Sequence, residues 1–229
     1  NHPFMTAYAL DGLLQARERG VNVEEYRIQS ARRALEQLYA AYPSAVPDLK
    51  AYEIHILAKA AVAPAPGADA GAGGGAAADV GGPDAPAGRG VAASDSSGTV
   101  NLKSALDELW SARGRMTASG QAFLLMTLTQ RKDARAPGLA SELIASAQTR
   151  GDLSWWAAER DPLLDDFGDT SAEATALALE ALAAHEAQNP LLERAARWLI
   201  VNRSPGGYWI RDRKSTRLNS SHIPLSRMP

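Results

Sequence analysis

Apolar side chains recur along this chain at three- and four-residue steps, the period of an α-helix, and no stretch shows the two-residue alternation of a half-buried strand. Eight helical segments follow from that pattern: Phe4 to Arg19, Glu24 to Ala41, Asp48 to Val62, Leu102 to Arg113, Thr117 to Gln130, Gly138 to Arg150, Thr170 to His185 and Leu191 to Asn202. They differ in a regular way. The first, third, fifth and seventh are apolar around most of their circumference; Thr117 to Gln130 has no charged residue at all. The second, fourth, sixth and eighth are amphipathic. In the second, Ile28, Ala31, Leu35, Leu38, Tyr39 and Tyr42 share a face while Arg32, Arg33 and Glu36 lie on others; in the fourth, Leu102, Leu106, Leu109 and Trp110 oppose Lys103, Asp107 and Glu108.

Strict alternation of surrounded and half-exposed helices is the signature of two concentric layers built from hairpins. The expected fold is therefore all-α: an incomplete α/α toroid, terpenoid-cyclase-like, with four hairpins visible. Short connections such as Gly20-Val21-Asn22-Val23 and Asn189-Pro190 suit antiparallel hairpins. An open solenoid of helical pairs is the alternative, although there both helices of a pair keep a solvent face. The alanine excess, about a fifth of the chain, fits either arrangement, since small side chains allow close helix approach.

Two segments break the pattern. From 63 to 100 the chain is Ala, Gly, Pro, Asp and Ser with almost nothing large, a composition that cannot bury enough apolar surface to offset its ordering entropy. It reads as a disordered insert between a first toroid part at 1–62 and a second at 101–211. Its glycines lack a preceding strand and a following Gly-Lys-Ser/Thr, so they do not make a phosphate loop. At the other end, Asp212 to His222 and Ser226 to Pro229 match, in one frame, the translation of a common sequencing-library adapter; 212–229 is read as an artefact and set aside. The chain starts at Asn1 without an initiator Met or a leader, and is expected to be a piece of a longer protein.

Charge changes the picture in one direction. The whole chain carries 24 Lys and Arg against 26 Asp and Glu. Without 212–229 the balance is 20 against 25, a net charge of −5 in place of −2, which argues against a nucleic-acid partner. No apolar run approaches the ~18 residues of a membrane span, so no direct membrane insertion is expected. There is no cysteine, which removes a disulfide scaffold, a cysteine zinc site and a thiol nucleophile from these residues.

Candidate chemistry is sparse. Asp165-Asp166-Phe167-Gly168-Asp169-Thr170 has the wrong spacing for the Asp-x-Asp-Asp-Thr acid of class II terpene cyclases, and the glutamine–tryptophan repeats of those enzymes are missing. Capping of the seventh helix by Asp169 or Thr170, with Thr170 and Glu173 as a capping box, explains the same residues. An inverting glycosidase needs two carboxylates ~6.5–9.5 Å apart across a cleft, and no pair is identifiable. Protein prenyltransferases hold zinc through Cys, Asp and His, and the Cys is absent. Trp155-Trp156 either lines a ligand pocket or packs a loop on the helices; Tyr208-Trp209 after Gly206-Gly207 reads as an anchor between hairpins. His2 and His185 have no partners at metal-ligand spacing. The sequence thus assigns no catalytic, cofactor-binding or metal-binding residue, and no cofactor.

A series of short motifs resembles one family. Pro3-Phe4-Met5-Thr6-Ala7-Tyr8-Ala9-Leu10, then Leu106-Asp107-Glu108-Leu109-Trp110 with Arg113 and Met116-Thr117-Ala118-Ser119-Gly120-Gln121-Ala122, then Glu173-Ala174-Thr175-Ala176-Leu177-Ala178-Leu179, then Arg197-Trp198-Leu199 with Asn202-Arg203 and Gly206-Gly207-Tyr208-Trp209 occur in family order. Together they are similar to the thioester-containing, complement-like domain of bacterial alpha-2-macroglobulins. The resemblance implies an α/α toroid, a periplasmic or cell-envelope location, and a part in a broad-spectrum endopeptidase inhibitor that traps proteases. It implies target proteases and other domains of the parent chain as partners, and no enzyme activity. The family's reactive group is a thioester between the Cys and Gln of a Cys-x-Glu-Gln motif upstream of the Thr-Ala-Tyr helix, so none lies in this chain. Complement-type members carry a His between the second and third of these helices that directs acyl transfer to hydroxyls. Tyr42 to Asp48 has none, so any upstream thioester is expected to prefer amines. His55, in a mostly apolar helix, reads as a hydrogen-bonded core residue. The alternatives kept open are an α/α-toroid enzyme, cyclase-like or glycosidase-like, and a helical-repeat interaction module.

Overall fold

The computed structural model describes residues 2–62, 100–163, 166–167 and 169–203. Within them the chain forms α1 (Pro3–Glu18), α2 (Glu25–Ala41), α3 (Pro47–Val62), α4 (Leu102–Ala112), a 3₁₀ turn (Arg113–Arg115), α5 (Ala118–Gln130), α6 (Ala136–Ala145), α7 (Ser171–His185) and α8 (Leu191–Val201). Eight helices in the expected order make the protein mostly helical. The expected insert at 63–100 falls, except for Val100, outside the described residues, as do the 212–229 tail and Tyr208-Trp209.

The expectation of no strands is corrected. Two short antiparallel hairpins lie between α6 and α7: β1 (Gln148–Arg150) with β2 (Leu153–Trp155), and β3 (Arg160–Asp161) with β4 (Asp166–Phe167). The sixth helix therefore ends at Ala145 and not at Arg150. Gly151-Asp152 closes the first hairpin, with positive φ (+62°) only at Gly151, as in a type II′ turn. The indole N–H of buried Trp156 donates to Leu143 O at 2.8 Å and so satisfies a last-turn carbonyl of α6.

Local chemistry sets the helix ends. Asn101 accepts from the N–H groups of Lys103 and Ser104 at the start of α4. α1 ends in a Schellman closure: Gly20 N–H bonds Arg17 O, Val21 N–H bonds Ala16 O, and Gly20 has φ +82°. α5 ends the same way through Lys132 and Asp133, with Lys132 in the left-handed region at φ 54°. The proposed capping box of α7 is corrected in part. Asp169 Oδ1 accepts from Ser171 N–H at 3.0 Å, as expected, but the Thr170 hydroxyl donates to Arg160 O and does not cap.

The odd helices pack in chain order, α1 on α3, α3 on α5 and α5 on α7, and they run parallel. Equivalent levels meet: Asp48 at the start of α3 bonds Thr117 just before α5, Tyr52 packs at a tilt between Phe4 and Phe123, and Thr129 and His185 meet at the opposite end. The even helices lie over this row: α2 against α1 and α3, α4 against α3, α6 against α5 and α7, α8 against α7. α5 buries every residue from Ser119 to Leu128 except Gln121, whereas α8 buries only Ala195. The expected division into surrounded and half-exposed helices holds in the middle of the row, where α3 and α5 are surrounded, and is corrected at its ends. There α1 buries only Pro3, Ala7, Leu10 and Leu14 and exposes Met5 and Tyr8, and α7 buries one face, since each has an odd neighbour on one side only among the described residues. Tyr42, expected on the apolar face of the second helix, is exposed because it lies beyond the end of α2, in the turn to α3.

Candidate functional site

Because the odd helices are parallel, their N-termini share one end of the molecule. Three connections meet there: 42–46 before α3, Arg113 to Thr117 before α5, and the β3–β4 segment before α7. Asp48 holds the first two together. Its Oδ1 accepts from the Thr117 backbone N–H at 2.9 Å and from the Thr117 hydroxyl at 2.6 Å. Burial pushes its carboxyl above the usual carboxylate range despite these bonds. Gly120 is required beside it, since a methyl at that position would overlap the Asp48 carboxylate.

Two clefts open at this end. The larger, about 660 Å³, runs between the α2–α3 turn, α3 and α4; Pro43, Val46, Pro47 and Leu109 give it apolar walls, and Lys50, Glu108 and Arg115 its charges. Lys50 is only 6 % exposed. Its Nζ donates to Glu108 Oε1 at 3.3 Å and lies 5.0 Å from the centre of the Tyr39 ring. Next to it on α3 is Glu53, 1 % exposed, whose Oε1 has no hydrogen-bond partner among the described residues; the buried hydroxyl of Tyr39 has none there either. Burial pushes the Glu53 carboxyl up to about 7, partly offset by Lys50. Burial, with Glu108 and Glu53, pushes the Tyr39 hydroxyl up to about 12. The smaller cleft, about 370 Å³, is lined by Phe4 of α1, Ser119 of α5, Asp161 to Leu163, and Thr170, Glu173 and Leu177 at α7. Asp161 there accepts from Leu163 N–H at 2.9 Å.

His55 occupies the core position that the sequence suggests. Its Nδ1 is 3.2 Å from Thr127 Oγ1, and that hydroxyl donates to Phe123 O at 2.9 Å. With the hydroxyl proton committed, Nδ1 must be the donor to Thr127. Burial, reinforced by Lys59, lowers its pKa to about 4. Trp155 and Trp156 are packing residues: Trp155 stacks on Trp198 with centroids 5.9 Å apart, and Trp156 N–H donates to Thr175 in the interior. His185 meets Thr129 at the far end of the row, and His2 is exposed. Among the described residues no three His, Asp or Glu side chains gather to hold a metal ion, and no helix is long and apolar enough to cross a membrane.

Sequence reasoning passed over Lys50, Glu53 and Arg115. The available signal was Lys50 and Glu53 three residues apart inside an otherwise apolar helix, which puts both on one buried face. Compared with known proteins, the chain matches no family model, and no curated protein is similar enough to count as a relative.

Proposed function

We propose that this chain is part of a bacterial alpha-2-macroglobulin-like endopeptidase inhibitor that traps proteases, and that its helices are hairpins of one α/α toroid. The observation that carries the reading is the parallel row of α1, α3, α5 and α7, each covered by an even helix, which agrees with the layered toroid of the family that the motifs resemble. The Glu173-Ala174-Thr175 segment also falls at a structural joint, where Thr175 receives Trp156 N–H. In this reading the chain supplies framework and surface. Any acyl transfer belongs to a Cys-x-Glu-Gln thioester elsewhere in a parent protein of the periplasm or cell envelope, because this chain has no cysteine. With His55 turned to Thr127 and no His from Tyr42 to Asp48, any thioester upstream in the parent protein acylates amines in preference to hydroxyls.

The test is to recover the surrounding gene from the source DNA and assay the parent protein. A trapped endopeptidase stops cutting a large protein substrate yet still cuts a small chromogenic peptide. Equal loss of both activities, or of neither, refutes the proposal.

One observation favours a second reading, a toroid enzyme: two carboxylates, Asp161 and Glu173, line the 370 Å³ cleft at the helix N-termini. If a hydrolytic or cyclising activity is found, Asp161→Asn and Glu173→Gln are the variants that test whether this pair carries it.

A further inference from the structure

The 660 Å³ cleft has the size of a small-ligand site and an uncompensated polarity. Two cations line it. Arg115 has no hydrogen-bond, ion-pair or ring partner among the described residues, although its neighbours Arg113 and Arg135 are both held by carboxylates. Lys50 is buried with one hydrogen-bond partner, Glu108 Oε1, so two of its three N–H donors have no protein acceptor there. Behind Lys50 lie two further buried atoms without partners, Glu53 Oε1 and the Tyr39 hydroxyl. Buried polar groups are ordinarily satisfied, and a cluster of exceptions beside a cavity calls for an explanation.

Net charge points to the sign of the ligand. Glu108 is the one lining carboxylate against Lys50 and Arg115. Glu53 does not restore the balance, since burial keeps its carboxyl largely protonated below neutral pH. The walls point to its other part: Pro43, Val46, Pro47, Leu109 and Ala112 offer apolar contact immediately beside the cations. We infer that this cleft binds a peptide segment that presents a carboxylate next to an apolar side chain, with Arg115 and Lys50 holding the carboxylate and the proline-lined wall holding the side chain. The guanidinium of Arg115 suits the two carboxylate oxygens, and Lys50 adds a point charge from the cleft floor. This site is independent of the protease-trapping reading and would stand if that reading fell.

The experiment is a titration of the full chain, followed by backbone amide NMR, with four probes: acetyl-Ala-Leu-Asp-amide, acetyl-Ala-Leu with a free C-terminus, acetyl-Ala-Leu-Asn-amide and acetyl-Ala-Leu-Lys-amide. The expected result is that at least one carboxylate peptide shifts the amides of 43–50 and 108–115, while the Asn and Lys peptides bind about tenfold or more weakly, the loss of one charge-assisted pair. The Asp peptide and the free C-terminus together tell whether a side-chain or a main-chain carboxylate is preferred. Arg115→Ala, at an exposed position, should weaken binding by a similar factor with an unchanged circular dichroism melt, and Arg115→Lys should restore part of it. Equal affinity for the Asp and Asn peptides, unaltered binding in Arg115→Ala, or no shift by any probe at millimolar concentration overturns the inference.

Discussion

Asp48 and Thr117 lie 69 positions apart in sequence and share a carboxylate oxygen: Asp48 Oδ1 accepts both the backbone N–H and the hydroxyl of Thr117. The pair fixes the first turn of α3 against the start of α5. It also explains why residue 120 is glycine, since the same oxygen occupies the space that a Cβ there would need. Asp48→Ala is expected to destabilise the fold by about 1–3 kcal/mol, as two half-buried Thr117 donors lose their acceptor. Gly120→Ala is expected to cost about 1–3 kcal/mol through overlap. In the double variant the overlap with the carboxylate is gone and only the Asp48 Cα remains close, at 3.0 Å, so the combined cost should be less than the sum of the two. Urea denaturation of the four proteins measures this; strict additivity would show that the two positions do not meet.

Stability should depend on pH through two buried groups acting in opposite senses. Glu53 has its carboxyl raised from 4.5 to about 7, so between those values the fold holds a proton that the unfolded chain has lost. Its contribution is present below pH 4.5 and disappears as pH rises through about 7, on the order of 3 kcal/mol in all. His55 is lowered from 6.5 to about 4, so the unfolded chain binds the extra proton, and stability is lost as pH falls from 6.5 toward 4. The two slopes largely cancel between pH 4.5 and 6.5. Glu53→Gln should therefore leave a stability that rises with pH across that window, and His55→Gln one that falls. Chemical denaturation at half-unit pH steps checks both signs.

Two helices end in the same Schellman closure with different residues in the left-handed position, Gly20 after α1 and Lys132 after α5. The lysine carries a steric penalty that glycine avoids. Lys132→Gly is expected to stabilise the protein by about 1 kcal/mol, and Gly20→Ala to destabilise it by about the same amount. A thermal melt that moves down for Lys132→Gly would contradict the assigned backbone conformation.

Trp156→Phe keeps the aromatic bulk and removes the indole N–H from Leu143 O. The carbonyl keeps the Ser146 hydroxyl, 2.8 Å away, as its remaining donor, so the cost is that of one net hydrogen bond, about 0.5–1.5 kcal/mol. The first hairpin and the last turn of α6 should lose amide exchange protection before the α3–α5 contact does, as hydrogen exchange resolved by residue would record.

Much of this architecture was legible in the residue order. Helix limits read from periodicity agree with the structure to within one or two residues for seven of the eight helices, because capping, glycine closures and apolar period are all local. The sixth failed for a local reason as well. Thr149-Arg150-Gly151-Asp152-Leu153-Ser154 carries a hairpin signal at Gly151-Asp152, but three-residue strands are too short for alternation to outweigh the helical run before them. Tyr42 was misplaced because its i+3 spacing from Tyr39 continues past the end of α2.

By itself, the sequence determined which segments are helical, since that follows from the spacing of apolar side chains along a single helix; which apolar helices are surrounded depended on neighbours, so α3 and α5 are and α1 is not. It also determined that no cysteine chemistry resides in the chain. Only the tertiary structure decided that the odd helices run parallel and so bring their N-termini to one end. Nor could residue spacing show that Lys50, Glu108 and Arg115 border one cleft or that Glu53 and Tyr39 lie unsatisfied behind it. Those relations join residues far apart in the chain, and what they do depends on who is across from them: a lysine on an apolar helix is a solvated end, a core ion pair or a ligand contact according to the neighbour that packing supplies.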